Sequence, residues 1–136
     1  MVDVAYVALG SNVGDRPRHL AVAREAIARL PGTKVLAETP VEETEPFGPQ
    51  NQDPYLNQMI AIETELEPHD LLHALQQIEH HEGRVRAERW GPRTLDLDIV
   101  KFGDKTIHDV SLVVPHPGLR DRAFWQRELS LLEAKR

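Results

Sequence analysis

Asp96 and Asp98 stand two residues apart in GPRTLDLDIV, residues 91–100. Leu95, Leu97 and Ile99 alternate with them, the pattern of a half-buried β-strand. On such a strand the three apolar side chains point into a core and the two carboxylates share the opposite face. Like charges that close repel unless water or a cation lies between them. Hard oxygen donors on a rigid element suit Mg²⁺, which takes one or two protein carboxylates and fills its octahedron with waters and substrate phosphates. Two such ions about 3.5–4 Å apart could clamp both ends of a phosphoryl displacement. The bland alternative is the solvated face of a strand, where Asp is tolerated though disfavoured.

The residues upstream weigh against that alternative. GRVRAERWGPR places Arg84, Arg86, Arg89 and Arg93 close together, with Glu88 the one acid among them. Cations near a helix C-terminus favour its dipole, which accounts for one or two arginines but not for four leading into an Asp-x-Asp strand. Guanidinium forks bind phosphate bidentately and stay charged when partly desolvated. Arg93 would lie at the mouth of the strand. Formal net charge is -6, so an acidic chain with a local arginine cluster points to a small anion, such as phosphate, rather than to a polyanion.

Aromatic residues are only 5% of the chain, so few can sandwich a flat ligand. Trp90, Tyr55 and Phe124 are each either packing anchors or stacking platforms, and Asn57 offers both a donor and an acceptor to a heterocycle edge. His116, between two prolines, has a fixed backbone and reads as a core or capping histidine or as a neutral imidazole near a triphosphate. His69, His73 and His80 fall on one helical face opposite an apolar stripe and read as solvated. The chain has no cysteine, which excludes disulfides, zinc–thiolate sites and thiol nucleophiles. It has neither a P-loop nor a Rossmann glycine fingerprint. Ser11 has no evident base nearby in sequence.

The elements that position these residues are readable in outline. Val4–Leu9 is a first strand, turning at Gly10-Ser11-Asn12. Asp15 caps a helix with apolar residues at 20, 23, 27 and 30, ended by Pro31-Gly32. Lys34–Val41 and Tyr55–Leu66 read as strands, separated by an aperiodic loop, Glu45–Pro54. Pro68 and Asp70 open a second helix with a stripe at Leu71, Leu72, Leu75 and Ile78, ending near Gly83. A second loop, Gly83–Arg93, precedes the LDLDIV strand, and short strands follow near Thr106–His108 and Leu112–Val114. Right-handed crossovers fold this βαββαβ order into an antiparallel-rich α+β sandwich of ferredoxin-like type, with both helices on one face. A chain of 136 residues fits one domain, spanning 1–136, and buries roughly 65–70% of its unfolded surface. It has no apolar run long enough for a membrane span and no basic flank and h-region of a signal, so a cytoplasmic protein is expected.

ALGSN, FGPQNQDPYLN, IE…GRVR…RWGPRTLDLDI and VPHP…RAF resemble, in order and spacing, the 6-hydroxymethyl-7,8-dihydropterin pyrophosphokinases of folate biosynthesis. The resemblance runs from about residue 4 to Phe124. It implies a ferredoxin-like fold and transfer of the β,γ-diphosphoryl group of ATP to the pterin hydroxymethyl oxygen, releasing AMP. It implies two Mg²⁺ ions on Asp96 and Asp98, with Arg84 and Arg93 sharing the catalytic work. Gln76, Glu79, Arg84, Arg86, Trp90, Arg93, Ile99, His116 and Arg122 match positions that meet ATP. Thr44, Phe47, Tyr55, Asn57 and Phe124 match the pterin pocket, with Tyr55 and Phe124 on the two ring faces and Asn57 at the edge. Partners are expected to be these small molecules, with no nucleic acid or membrane, and the protein is expected to be a monomer. After Phe124 the family usually continues as an apolar strand, whereas here Trp125-Gln126-Arg127-Glu128-Leu129 intervenes, so an atypical final strand is expected. A non-catalytic nucleotide or pterin sensor and an Asp-x-Asp phosphohydrolase are the competing readings.

Overall fold

The computed structural model describes residues 2–44, 54–82 and 95–135. The elements run β1 (Asp3–Ser11), α1 (Arg16–Ala28), β2 (Thr33–Glu38), β3 (Glu42–Thr44), β4 (Tyr55–Thr64), α2 (Pro68–His81), β5 (Asp96–Phe102), β6 (Ile107–His108), β7 (Val113–Val114), a 3-10 turn (Pro117–Asp121) and α3 (Ala123–Ala134). The main sheet has the order β2-β4-β1-β5, and β3 adds to β4. Every pairing in it is antiparallel, and β6 and β7 form a separate ribbon. The protein is therefore α+β.

β1 is the central strand. Its apolar run has partners on both sides and helices over both faces, so nearly all of it is buried. Ala5, Val7 and Leu9 point to one face, with Ile60, Ile62, Leu95, Leu97 and Ile99 beside them. Leu20, Ala23 and Ile27 of α1 and Leu71, Leu75 and Ile78 of α2 close over this face. Leu72 is only partly buried at its margin. His69, His73 and His80 are exposed on the far side of α2, the solvated face their spacing predicts.

Three expectations change. β1 does not turn at Gly10-Ser11 but stays paired through Ser11, and the first left-handed residue is Gly14, at φ 73°. The strand expected over Lys34–Val41 ends at Glu38 as β2, and a separate β3 begins only at Glu42, beyond Thr39-Pro40. Pro40 cannot donate to a ladder, and buried Thr39 takes over locally, its backbone N–H donating to the Met59 carbonyl and its hydroxyl accepting from the Met59 N–H. The largest change is at the end of the chain, where the expected final strand is the helix α3. Trp125, Leu129 and Leu132 recur at i, i+4 and i+7, one helical stripe with no β-branched residue among its neighbours. That stripe covers the second face of the sheet, packing on Tyr6, Ala8, Met59, Ala61 and Val100.

A bulge in β5 adapts the strand to both cores. Val7 faces Ile99 and Tyr6 faces Lys101, leaving Val100 as the extra residue. Val100 packs under α3 while Phe102 returns to the first core. Lys101 donates to Glu133 of α3 at 2.6 Å.

α3 also buries a carboxylate. Glu128 is 1% exposed, and neither of its oxygens has a hydrogen-bond partner. Burial pushes its carboxyl up to about 8, Glu42 adds to the rise, and Arg127 opposes it. A folded-state value above the ordinary 4.5 means that burial costs nothing extra below pH 4.5. The cost then grows by about 1.4 kcal/mol per pH unit until the group ionises. Stability is thus expected to fall as pH rises from about 5 to 8, and Glu128→Leu to remove that fall. Urea midpoints of the two proteins across this range check it; equal pH slopes would contradict it.

Candidate active site

The register of three strands brings distant residues into rows. Gly10 of β1 lies opposite Asn57 of β4 and also opposite Asp96 of β5. One step along, Ala8 lies between Met59 and Asp98 in the same way. The row Asn57–Gly10–Asp96 therefore crosses the sheet on the α3 side, just beyond the edge of that helix's apolar contact. A Cβ on Gly10 would come within 3.3 Å of Asn57 Oδ1 and 3.4 Å of Tyr55 Cδ1. Gly10 is needed for space, so that the side chains of β4 can lean over the central strand toward the carboxylates. Sequence reasoning missed this role and read Gly10 as a turn residue. Its alternation with Ala8 between large apolar neighbours is the signal that was present.

The Asp-bearing strand is anchored from behind. Glu79 of α2 is buried, and its Oε2 accepts from the Leu97 N–H at 2.7 Å. That amide lies between the two aspartates, so one carboxylate of α2 sets the position of both. Leu95, Leu97 and Ile99 enter the core as their alternation predicts. Asp96 and Asp98 share the other face, and the Asp98 side chain is 41% exposed. Among the described residues no third carboxylate or histidine joins them as a ready-made metal cluster. A cation held here would complete its shell with water and ligand oxygens, as Mg²⁺ commonly does.

The segment after β7 supplies the opposite wall. The Val114–Pro115 bond is cis, and the His116 N–H donates to the Val100 carbonyl at 2.9 Å. His116 Nδ1 accepts from the Gly118 N–H at 2.9 Å, so in the neutral ring the proton sits on Nε2. Nε2 lies 3.6 Å from Asp98 Oδ1, longer than a direct hydrogen bond. Trp125 organises this wall. Its ring meets the His116 edge at 4.9 Å and 88°, and the Phe124 ring at 6.3 Å and 65°. Arg122 stacks its guanidinium 4.3 Å above the Trp125 ring. Trp125 was another residue that sequence reasoning passed over.

Tyr55 senses the same field. Burial pushes its hydroxyl up to about 12; Asp96 and Asp98 add to the rise, and Arg122 opposes it. Asn57 donates through Nδ2 to the Thr44 hydroxyl, tying β4 to β3 beside Tyr55. Thr44, Tyr55, Asn57, Asp96, Asp98, His116 and Arg122 are thus linked by direct contact, strand register or mutual electrostatics. Phe124 joins them through Trp125 and Glu79 through the Leu97 amide, and Gln76 is exposed on α2. Ile99 differs, because its side chain is 3% exposed in the core and only its backbone can meet a ligand. Phe47, Arg84, Arg86, Trp90 and Arg93 lie outside the described residues.

Residues 6–134 match the family model for 7,8-dihydro-6-hydroxymethylpterin-pyrophosphokinase. The chain belongs to this family. It is 46% identical over 124 residues to the 2-amino-4-hydroxy-6-hydroxymethyldihydropteridine pyrophosphokinase of Pseudomonas aeruginosa, covering 91% of this chain and 76% of that one. The enzyme of the same name in Bacillus subtilis is 43% identical, covering 91% and 74%. A folic acid synthesis protein of Schizosaccharomyces pombe is 39% identical over 95% of this chain but only 18% of its own length. Membership in a pyrophosphokinase family agrees with a pair of carboxylates facing an aromatic and amide-bearing wall.

Because Asp96 and Asp98 add to the rise that burial causes in the Tyr55 hydroxyl, replacing either with asparagine is expected to lower the Tyr55 titration. NMR of ring-labelled tyrosine against pH, with Tyr6→Phe as background, reads this directly. An unmoved titration in both asparagine variants would place the carboxylates away from Tyr55.

Proposed function

We propose that this pyrophosphokinase transfers the diphosphoryl group of ATP to the hydroxymethyl oxygen of 6-hydroxymethyl-7,8-dihydropterin, releasing AMP, as a step of folate biosynthesis. The observation that carries the reading is the Asn57–Gly10–Asp96 row, which sets an amide beside a pair of carboxylates. The strand order β2-β4-β1-β5, with α1 and α2 on one face, supports a ferredoxin-like reading of the α+β fold. We take the working protein to be a cytoplasmic monomer.

In this reading the pterin ring lies between Tyr55 and Phe124. The Asn57 amide meets its edge, with Thr44 holding that amide in orientation. Tyr55 is neutral at working pH, as an ordinary tyrosine is, and burial and the aspartates push its titration further up, so it offers an uncharged ring and a hydroxyl donor. Phe47 belongs to the same pocket. ATP is assigned to Gln76, Glu79, Arg84, Arg86, Trp90, Arg93, His116, Arg122 and the Ile99 backbone.

Asp96 and Asp98 are a fitting donor set for Mg²⁺: hard oxygens on one face of an anchored strand, with Asp98 half open to ligand. When bound, the metal supplies Lewis-acid neutralisation of the phosphate oxygens. The chain's own groups orient and balance charge. His116 directs its Nε2 proton toward the space beside Asp98, where it can donate to a phosphate oxygen. Arg122, stiffened on Trp125, holds a fixed positive charge on the same wall, and Arg84 and Arg93 are assigned to the developing charge. The pterin oxygen forms a bond to the β-phosphorus, the bond from that phosphorus to the bridging oxygen breaks, and AMP leaves with the electron pair. The hydroxymethyl proton passes to water. Such transfers depend mainly on in-line placement and charge neutralisation, so no strong general base is required.

Incubation with ATP, Mg²⁺ and the pterin alcohol is expected to yield AMP only when the pterin is present. ADP with inorganic phosphate would indicate hydrolysis instead, and tight binding without turnover a sensor. Asp98→Ala is expected to lower the rate by about 100-fold or more while circular dichroism and the thermal midpoint stay near the parent's. A near-normal rate in a folded variant would overturn the assignment of the pair.

A further inference from the structure

β3 is only Glu42–Thr44, too short to hold its place by ladder bonds alone, yet each of its residues has a side-chain tie. Glu42 meets Arg127 of α3 at 3.0 Å, Thr44 accepts from Asn57, and Glu43 accepts from Arg16 Nη2 at 3.2 Å. The Arg16 tie is of another kind. The same guanidinium donates through Nη1 to the Pro54 carbonyl at 2.8 Å, just before β4 begins. One fork thus joins the Glu43 side chain at the end of β3 to the Pro54 backbone at the start of β4. Thr44 and Tyr55, the innermost residues of the two strands, lie opposite each other.

Arg16 opens α1, where a cation is disfavoured by the helix dipole. Its placement there is not explained by helix stability. The Glu43 contact alone would count for little, since Glu43 is 58% exposed. The Pro54 bond is different, because a guanidinium donates to a part-buried backbone carbonyl, a charge-assisted bond. Together the two contacts fix the spacing of β3 and β4 at the point where Thr44 orients Asn57.

We propose that Arg16 is a positioning residue for the pterin pocket: its guanidinium holds Glu43 and the Pro54 carbonyl at a fixed separation, and so keeps Thr44, Tyr55 and Asn57 in register for the ring. The inference rests on the assignment of those three residues to the pterin. It makes Arg16 selective for one substrate. Among the described residues ATP is assigned to groups on α2, β5 and the segment from His116 to Arg122, none of which the fork contacts.

Steady-state kinetics with each substrate varied test it on Arg16→Gln, Arg16→Lys, Glu43→Gln and, as a reference for the pocket, Asn57→Ala. Arg16→Gln is expected to raise the pterin KM about three- to tenfold with the ATP KM within about twofold. Arg16→Lys, which can keep one contact but not the fork, is expected to fall between, as is Glu43→Gln, which keeps an acceptor oxygen but loses the charge. A thermal midpoint close to the parent's accompanies this result. Should Arg16→Gln unfold, Arg16→Lys carries the same comparison. An unchanged pterin KM in the Arg16 variants beside a raised one in Asn57→Ala overturns the clamp alone. Equal rises in both KM values also overturn it, by making the role merely structural. An unchanged pterin KM in Asn57→Ala overturns the pocket assignment and the clamp with it.

Discussion

The site depends on the register of β1 with its two neighbours. A central strand that carries Ala8 and Gly10 on one face leaves a shallow trough across the sheet, and the flanking strands fill its rims with Met59 and Asn57 on one side and Asp98 and Asp96 on the other. Register has a period of two, so a slip of one residue would turn every one of these side chains into the core. The apolar face under α1 and α2 forbids that slip: Val7, Leu9, Leu97 and Ile99 would have to surface. The core thus specifies the candidate site, and the two are opposite faces of the same pairing.

Two further contacts convert that register into a usable geometry. The Glu79–Leu97 bond fixes the backbone between the aspartates from the α2 side, through a buried carboxyl oxygen that accepts from the strand's own N–H. On the other side, α3 brings Trp125 against the sheet, and Trp125 in turn fixes His116, Arg122 and Phe124. α3 therefore does more than cover an apolar surface. It also sets the distance between an anchored carboxylate pair and a cationic wall, at the expense of burying Glu128.

The legibility of the sequence followed the range of the interactions involved. The LDLDIV alternation, the α1 cap at Asp15 and the α2 stripe are local, and each was readable within a few residues. The family-bearing strings led to the pyrophosphokinase family before any geometry was known. Pairings across the sheet were not readable, because nothing local in Asn57 or Asp96 says that both face Gly10. Glu79 was placed near the nucleotide by resemblance, but its bond to the Leu97 amide spans two elements and leaves no local pattern. The expectation of a final strand where α3 stands came from the family's usual continuation alone, and the i, i+4, i+7 spacing of Trp125, Leu129 and Leu132 did not enter it. The spacing was the better guide, since it describes a surface that must be covered.

The central claim is that a cation held by Asp96 and Asp98 sits beside the Asn57 wall, across Gly10. Mn²⁺ with a non-hydrolysable ATP analogue offers the most direct measurement, through paramagnetic broadening of side-chain NMR signals. The account predicts strong broadening of the Asn57 amide and the Tyr55 ring, little at Ala23 and Ala26 on the far side of the sheet, and loss of the effect in the Asp96→Asn/Asp98→Asn protein. Broadening that persists in that double variant, or that spares Asn57 in the parent, would contradict it.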